Sequence, residues 1–150
     1  MSVDETLVVE LAIKKYSKKS LDHAFRVASY AKEMSIDEDW TKEYSEVFFL
    51  IGLLHDIIED TDLTLDQLKK FFTSKTKYSL EWIETIIEAV DTLTQKEGES
   101  YDDYMSRIFE VNDPVALLVK KADFKDHFAQ SKTLTVKLLK KYAPYVPKFM

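Results

Sequence analysis

The chain of 150 residues contains no cysteine, only two glycines and three prolines, and no long hydrophobic run. The missing cysteines exclude disulfides, thiol nucleophiles and thiolate-bound metals, and they are compatible with a reducing cytoplasm. Few glycines and prolines suit a helical protein with short connections. The longest apolar run falls far below the ~20 residues that span a bilayer, and the N-terminus lacks the basic-then-apolar order of a signal peptide. We therefore expect a soluble, cytoplasmic protein.

Charge and size narrow the classes of function. The 21 basic and 27 acidic residues give a net charge of −6, which argues against a general binder of nucleic acid or of anionic membranes. Any basic site for an anionic substrate must therefore be local. With 45% hydrophobic residues over this length, the chain is expected to form one domain, residues 1–150, with a real core. Its oligomeric state is left open.

Apolar residues recur at helical spacing along the chain, and no segment alternates convincingly with a period of two. The pattern predicts helices that include Glu5–Tyr16, Ser20–Met34, Thr41–Glu59 and a last one from Thr133 to Tyr142. Helix N-caps are expected at Ser20, at Thr64 in a capping box with Gln67, and at Ser79, Ser100 and Asp113, the last followed by Pro114 in the first helical position. The expected fold class is all-α, with seven or eight helices.

The stretch FLIGLLHDIIEDTDLT, residues 49–64, places a histidine–aspartate pair in an otherwise apolar segment. Nine of the twelve residues from 47 to 58 are bulky and apolar, so a helix formed by them has no polar face and should be buried nearly all round. A carboxylate buried there is costly unless a cation, a metal or several hydrogen bonds meet it. Partners for His55 and Asp56 must therefore come from elsewhere in the chain.

Two other predicted helices carry metal-competent side chains beside the core. His23 adjoins the apolar stripe of the second helix, and Asp123 lies on an otherwise buried face, with His127 one turn further along. Each has an ordinary explanation by itself, because a lone histidine is commonly a satisfied core residue and an aspartate near lysines commonly forms a surface salt bridge. Together with His55 and Asp56, they make a nitrogen and oxygen ligand set suited to manganese, iron or zinc.

These motifs resemble those of the HD phosphohydrolase superfamily, whose signature H…HD…D is matched by His23, His55–Asp56 and Asp123. LLHDIIEDTDLT is similar to the LLHD-x-x-EDT motif in the hydrolase domain of the Rel/Spo alarmone enzymes and their small single-domain relatives. HAFRVASYA is similar to the HPLAVA segment of that family, LLVKKADFKDHF to its VKLADRLHN segment, and EGESYDDYMSRI to a segment of small, often phage-borne members. The resemblance implies an HD-domain helical bundle with its motifs between residues 20 and 130.

The resemblance also implies a set of site residues. One divalent ion, manganese in the first place and other divalent ions as alternatives, would be held by His23, His55, Asp56 and Asp123. The next two carboxyl groups, Glu59 and Asp60, are expected to act on the attacking water and in proton transfer, although acidic residues alone would suggest a solvated helix end. Contacts to substrate phosphates are candidates at five side chains near the motifs, each with solvated surface as the alternative: Lys18, Lys19, Arg107, Lys120 and His127.

The favoured function is that of a metal-dependent phosphohydrolase removing the 3′-pyrophosphate of guanosine tetra- or pentaphosphate, with a small nucleotide as its partner. A nucleotidase or pyrophosphohydrolase for another nucleotide is the alternative within this class. The second class is a catalytically silent nucleotide-binding module, against which the presence of both Glu59 and Asp60 argues. The loop before His23 is shortened to KKYSKKS, Ala24 stands where proline is usual, and His127 stands where asparagine is frequent. The first and third departures leave the base specificity open.

Overall fold

A computed structural model describes residues 1–130 and 134–149. Its elements are α1 (Val3–Lys15), α2 (Lys18–Asp37), α3 (Lys42–Leu54), α4 (Ile57–Asp60), α5 (Leu65–Lys75), α6 (Leu80–Leu93), α7 (Tyr101–Val111), α8 (Pro114–Ala129) and α9 (Val136–Tyr142), followed by a 3-10 helix (Ala143–Phe149). Apart from the single turn α4, the described residues thus form eight α-helices and no strand, which confirms the predicted all-α class. None of these helices is both long and apolar enough to cross a membrane.

Most helices begin where their capping residues predict. Ser79, Ser100 and Asp113 each accept a backbone N–H in the first turn of the following helix, and Thr64 forms the predicted reciprocal capping box with Gln67. These side chains satisfy amides that the first turn of a helix leaves without a partner. The local sequence therefore determines where α5 to α8 start.

The predicted starts of the first two helices differ from the structure. Helix α1 begins at Val3 rather than Glu5, with Ser2 as its N-cap. The N-cap of α2 is Ser17 rather than Ser20, because the Ser17 hydroxyl accepts the backbone N–H of Ser20, which already lies inside the first turn. Serine is an equally good cap at positions 17 and 20, so the local sequence does not decide between them. The last helix is capped by Thr135, and its predicted start at Thr133 lies outside the described residues.

Helix α3 lies at the centre of the fold and packs against α1, α2, α6 and α8. Eight of its thirteen residues are buried, including Phe48, Leu50 and Ile51 with no exposed surface. The prediction that this segment is buried nearly all round is confirmed. Its position at the centre allows the residues that follow it to meet side chains from several other helices.

The predicted single helix over Thr41–Glu59 is wrong, because α3 ends at Leu54 and α4 begins at Ile57. His55 and Asp56 form a turn between the two helices.

Competing hydrogen bonds account for this interruption. The carbonyl oxygen of Gly52 accepts the Nδ1–H of His55 at 2.6 Å, and that of Leu53 accepts the Tyr16 hydroxyl at 2.8 Å. These side chains take the place of the amides four residues on, so the carbonyls stay satisfied although the helix stops. The pair is therefore held by the end of α3 and by a tyrosine at the end of α1.

Gly52 lies at the closest approach of α2 and α3. A methyl group at this position would lie 2.7 Å from the Cα and 3.0 Å from the backbone nitrogen of Ala28, closer than real contacts allow. A glycine inside a helix costs ~1 kcal/mol relative to alanine. Close packing of two helix backbones compensates for that cost here.

We predict that Gly52→Ala lowers the free energy of unfolding by about 1–3 kcal/mol, because the new methyl group must push α2 and α3 apart. Urea unfolding followed by circular dichroism measures the change. Ser29→Ala, on the exposed side of α2, is the matched control and should change stability little. A variant Gly52→Ala as stable as the wild type would contradict the close helix contact.

Candidate metal centre

Two helices and the turn after α3 bring four ionisable side chains to one point. His23 comes from α2, His55 and Asp56 from the turn, and Asp123 from α8. One donor atom of each lies within 4.8 Å of the other three. His55 and Asp123 are buried, and the other two are half-buried. The structure therefore brings together all four residues that the motifs predicted as ligands.

The two imidazoles face the two carboxylates. Oδ1 of Asp123 lies 2.9 Å from Nε2 of His23 and 3.3 Å from Nε2 of His55. Oδ2 of Asp56 lies 3.1 Å from Nε2 of His55 and 3.7 Å from Nε2 of His23. Two ligands that each lie ~2.0–2.2 Å from one ion can be at most about 4.4 Å apart. The four separations above fall within that limit, and the spread of the whole cluster, within 4.8 Å, exceeds it only slightly. Small side-chain movements would therefore adapt the cluster to a single ion.

The opposite nitrogen of each ring is occupied. Nδ1 of His55 can only donate to the carbonyl oxygen of Gly52, and Nδ1 of His23 lies 2.6 Å from Oδ2 of Asp126. With the proton on Nδ1, a neutral imidazole presents the lone pair of Nε2, as a metal ligand must. Both lone pairs then point at the centre of the cluster.

The charges of the cluster favour a cation at its centre. Burial alone would lower the pKa of His55, but the carboxylates of Asp56 and Asp123 outweigh it and raise that pKa well above its usual value. Burial likewise opposes ionisation of Asp123, but Lys120 and the neighbouring imidazoles hold the pKa of its carboxyl well below the usual range. A divalent ion meets the same need for positive charge, and the nitrogen and oxygen donors fit one.

A cleft of about 180 Å³ adjoins the cluster. Asp56 and Asp123 form part of its walls. The other lining residues are Gln95, Glu59, His127, the lysines Lys120 and Lys141, and the tyrosines Tyr101, Tyr104 and Tyr142. The mixture of cationic, aromatic and acidic groups suits an anionic ligand that also needs proton transfer.

The two predicted catalytic carboxyl groups lie on the single turn α4. Glu59 lines the cleft, and one of its oxygens accepts the backbone N–H of Gln95. The pKa of Glu59 is raised, mainly because its carboxylate loses hydration against the protein, although the residue as a whole is exposed. Lost hydration, together with the charge of Asp56, also raises the pKa of Asp60. Raised values bring both groups closer to the range in which proton exchange is effective at neutral pH.

Two of the five predicted phosphate contacts line the cleft. Lys120 donates to Oδ2 of Asp123 at 3.0 Å and to the Tyr104 hydroxyl at 3.3 Å. The ring of His127 stacks on Tyr142 with centroids 4.7 Å apart, and its Nε2 lies 3.3 Å from Asp123 Oδ1. Lys120 and His127 thus touch both the cluster and the space beside it.

The other three predicted contacts do not line the cleft. Lys18 and Lys19 are exposed in the first turn of α2. Arg107 pairs with Glu99 and donates to the carbonyl oxygens of Thr92 and Thr94. Its guanidinium therefore holds the loop between α6 and α7, the same loop whose Gln95 N–H meets Glu59.

Sequence reasoning missed several residues of the site, among them Gln95 and the four discussed next. Asp126 and Arg26 follow Asp123 and His23 by one helical turn each, so i, i+3 spacing on the same face could have indicated them. Lys141 and Tyr142 lie at the end of α9, where no local pattern points to the cleft. Their role depends on how α9 packs against the rest of the fold.

A small helical domain with two histidines and two aspartates around one centre defines a class of metal-dependent phosphohydrolases, and comparison supports that class. A family model described as HD domain matches residues 20–126. The chain belongs to the HD-domain family. This confirms the resemblance at the level of the superfamily, whereas the closer likeness to the Rel/Spo enzymes stays a prediction. No curated protein sequence matches the chain.

We predict that Mn²⁺ raises the melting temperature of EDTA-treated protein, because an ion that binds only the folded state stabilises it by about 2.7 kcal/mol at 100 times its Kd. Asp56→Ala should lose most of this rise, since one ligand is gone. Asp102→Ala, an exposed carboxylate on α7, should keep it. Scanning fluorimetry with increasing Mn²⁺ measures the shift, and an equal rise in both variants would place the ion elsewhere.

The ion pair between Arg107 and Glu99 gives a pH-dependent prediction. Hydrogen bonds from Arg107 lower the pKa of Glu99 from 4.5 to about 2, so the pair stabilises the fold above the unfolded pKa and loses that effect as pH falls through the folded pKa. The stability difference between wild type and Glu99→Gln should be constant above about pH 5 and shrink toward about pH 2. Urea unfolding at each pH measures it, with exposed Glu97→Gln as control. A difference independent of pH would contradict the pairing.

Proposed function

We propose that the protein is a metal-dependent phosphohydrolase acting on a nucleotide, and that its favoured reaction removes the 3′-pyrophosphate of guanosine tetra- or pentaphosphate. One observation carries the hydrolase part. The four-residue cluster, which fits one divalent ion, is followed directly by two carboxyl groups of raised pKa on α4. The substrate part is supported by the resemblance of LLHDIIEDTDLT to the alarmone hydrolases. Manganese is the proposed ion.

The ion would be held by His23, His55, Asp56 and Asp123. When bound, it would supply Lewis acidity, lowering the pKa of water toward ~7 and polarising a phosphoryl oxygen. The protein contributes the fixed orientation of the ligands. Both imidazoles are locked through Nδ1, and Lys120 holds the second oxygen of Asp123.

Glu59 is the proposed proton acceptor for the attacking water. It lines the cleft beside Asp56, and the Gln95 N–H orients one of its oxygens, which leaves the other free to accept a proton. Asp60 is the proposed partner in proton transfer to the leaving group. The loop between α6 and α7, held by Arg107, fixes the Gln95 amide and so acts on the geometry of Glu59.

The cleft suits the phosphoryl end of a substrate. Its volume of about 180 Å³ is too small for a whole nucleotide, so the nucleoside would lie outside it. Lys141 has no carboxylate within salt-bridge distance among the described residues and lies 4.4 Å above the Tyr101 ring. A phosphate oxygen that entered the cleft would pair with the Lys141 ammonium. Lys120 and His127 complete the proposed phosphate contacts.

Lys18 and Lys19 remain candidates for parts of a substrate that extend beyond the cleft. The segment KKYSKKS, residues 14–20, consists of the end of α1, a two-residue link and the first turn of α2. It has no counterpart of the family's longer guanine-contacting loop, so a different nucleotide is the second candidate substrate. A silent nucleotide-binding module requires that Glu59 and Asp60 have no chemical task. Their position beside the cluster favours the enzyme over that module.

A nucleotide panel with Mn²⁺ tests the proposal. Metal-reconstituted protein is incubated with guanosine tetra- and pentaphosphate, nucleoside triphosphates and monophosphates, and the products are resolved by chromatography. We expect release of pyrophosphate from the guanosine compounds. Release from another nucleotide only would select the second substrate, and binding without turnover of any member would favour the silent module.

With a substrate in hand, Glu59→Gln and Asp60→Asn should retain Mn²⁺ and lose roughly 10²–10⁴-fold in kcat, because the amides keep size and hydrogen bonding but exchange no proton at neutral pH. Metal content is measured by mass spectrometry alongside the kinetics. Asp62→Asn, exposed just after α4, is the control. Activity within threefold of the wild type for both variants would mean that Glu59 and Asp60 belong to a solvated helix end without a catalytic task. Loss of the metal in either variant would mean that the substituted residue is a ligand.

A further inference from the structure

A row of charged contacts lies behind the metal centre, between α2 and α8. Arg26 Nε donates to Oδ1 of Asp126 at 2.8 Å, and Oδ2 of Asp126 accepts the Nδ1–H of His23 at 2.6 Å. The side chain of Asp126 is only 1% exposed. The other nitrogen of His23 faces Asp123 and the centre of the cluster. The row thus connects a half-buried arginine to a metal ligand through one buried carboxylate.

Residues one turn apart on α2 face residues one turn apart on α8. His23 and Arg26 are one turn apart on α2, and Asp123 and Asp126 are one turn apart on α8, so His23 meets both aspartates while Arg26 meets only the second. An ordinary salt bridge that joins two helices needs only the arginine and the aspartate. Here Oδ2 of Asp126 is committed to the imidazole, while Oδ1 accepts from Arg26 and, at 3.5 Å, from the side-chain amide of Gln130.

We propose that Asp126 is a positioning residue for His23. Its carboxylate fixes the Nδ1–H tautomer and the orientation of the ring, and it makes Nε2 a stronger ligand for a divalent ion. Carboxylates that accept from the far nitrogen of a ligating histidine act in this way. Arg26 holds the carboxylate in place through its second oxygen.

His55 provides an internal comparison. Its Nδ1 donates to the neutral carbonyl oxygen of Gly52, whereas Nδ1 of His23 meets a charged carboxylate. A charge-assisted hydrogen bond is about twice as strong as a neutral one, so the two imidazoles differ as ligands. His23 is the more electron-rich of the two, and the difference depends on Asp126. This inference rests on the metal-dependent part of the proposed function and is independent of the substrate.

The test combines metal affinity with the state of the ring. Calorimetric titration of EDTA-treated protein should show a Kd for Mn²⁺ roughly 10–100-fold weaker for Asp126→Asn than for the wild type. Arg26→Met, which retains the Asp126 carboxylate but removes one of its partners, should weaken Mn²⁺ binding severalfold at most. Asp126→Glu restores a carboxylate and should bind Mn²⁺ more tightly than Asp126→Asn. Asp103→Asn, an exposed aspartate on α7, should match the wild type.

Nuclear magnetic resonance of the Zn²⁺-saturated protein measures the chemical shift of the His23 Nδ1 proton. This shift would not change if Asp126 only formed a salt bridge between the two helices. The Nδ1 proton of His23 should resonate far downfield in the wild type and in Arg26→Met, and should move upfield in Asp126→Asn. The Nδ1 proton of His55 should stay in place in all variants. If Asp126→Asn does not fold, Asp126→Glu is compared with the wild type. Its longer side chain displaces the carboxylate, so a shifted His23 Nδ1 signal and weaker Mn²⁺ binding are expected, and a signal and a Kd that both equal those of the wild type would overturn the inference.

Three results separate the possible failures. Unchanged Mn²⁺ affinity and an unmoved His23 signal in Asp126→Asn, with normal binding by the wild type, would overturn this inference and leave the proposed function intact. Absence of Mn²⁺ and Zn²⁺ binding by the wild type would overturn both. A silent nucleotide panel with the expected differences in Kd would overturn the proposed hydrolase alone.

Discussion

The buried carboxylate of Asp123 is the constraint on which the rest of the structure depends. A carboxylate in an apolar core is tolerated only when other groups meet both of its oxygens. Oδ2 is met by Lys120, and Oδ1 lies within 3.3 Å of an imidazole nitrogen from each of His23, His55 and His127. Because two of these partners come from α2 and from the turn after α3, satisfying one charge also fixes how three parts of the chain meet. The contacts that assemble the site are therefore also contacts that determine how the helices of the bundle pack.

The two sides of this carboxylate differ in their exposure to solvent. The α2 and α8 side carries the second row of contacts, with Arg26 and Asp126, and is closed to solvent at Asp126. The opposite side opens into the cleft, where α4, the loop after α6 and the end of α9 contribute side chains. Fixed candidate ligands on one side and accessible carboxyl groups on the other would suit the proposed hydrolysis, since water and substrate could enter without disturbing a bound ion.

Local sequence signals predict the parts of this structure that local physics controls. Helix starts follow from capping chemistry, and the burial of α3 follows from its unbroken apolar pattern. The order of the motifs predicts the four clustered residues. They lie in three separate apolar segments, and each needs a polar partner that the others can supply. The interruption at His55 and Asp56 does not follow, because the Tyr16 hydroxyl that replaces a helical amide lies 37 residues away in the sequence. Lys141 and Tyr142 are hidden for the same reason, since the packing of α9 brings them to the cleft and no pattern within α9 encodes it.

Gly52 contacts both His55 and the backbone of Ala28, and it has a separate role toward each. Its carbonyl oxygen orients His55, and its missing side chain lets the backbone of Ala28 come into contact. The separation between α2, which carries His23, and the turn that carries His55 is therefore set by backbone against backbone. Close-packed backbones yield very little, whereas selection among divalent ions depends on how far a cavity can adapt to ionic radius. The spacing of the candidate metal ligands is thus tied to a backbone contact three residues before His55, which would limit how far the cavity could adapt to ions of different radius.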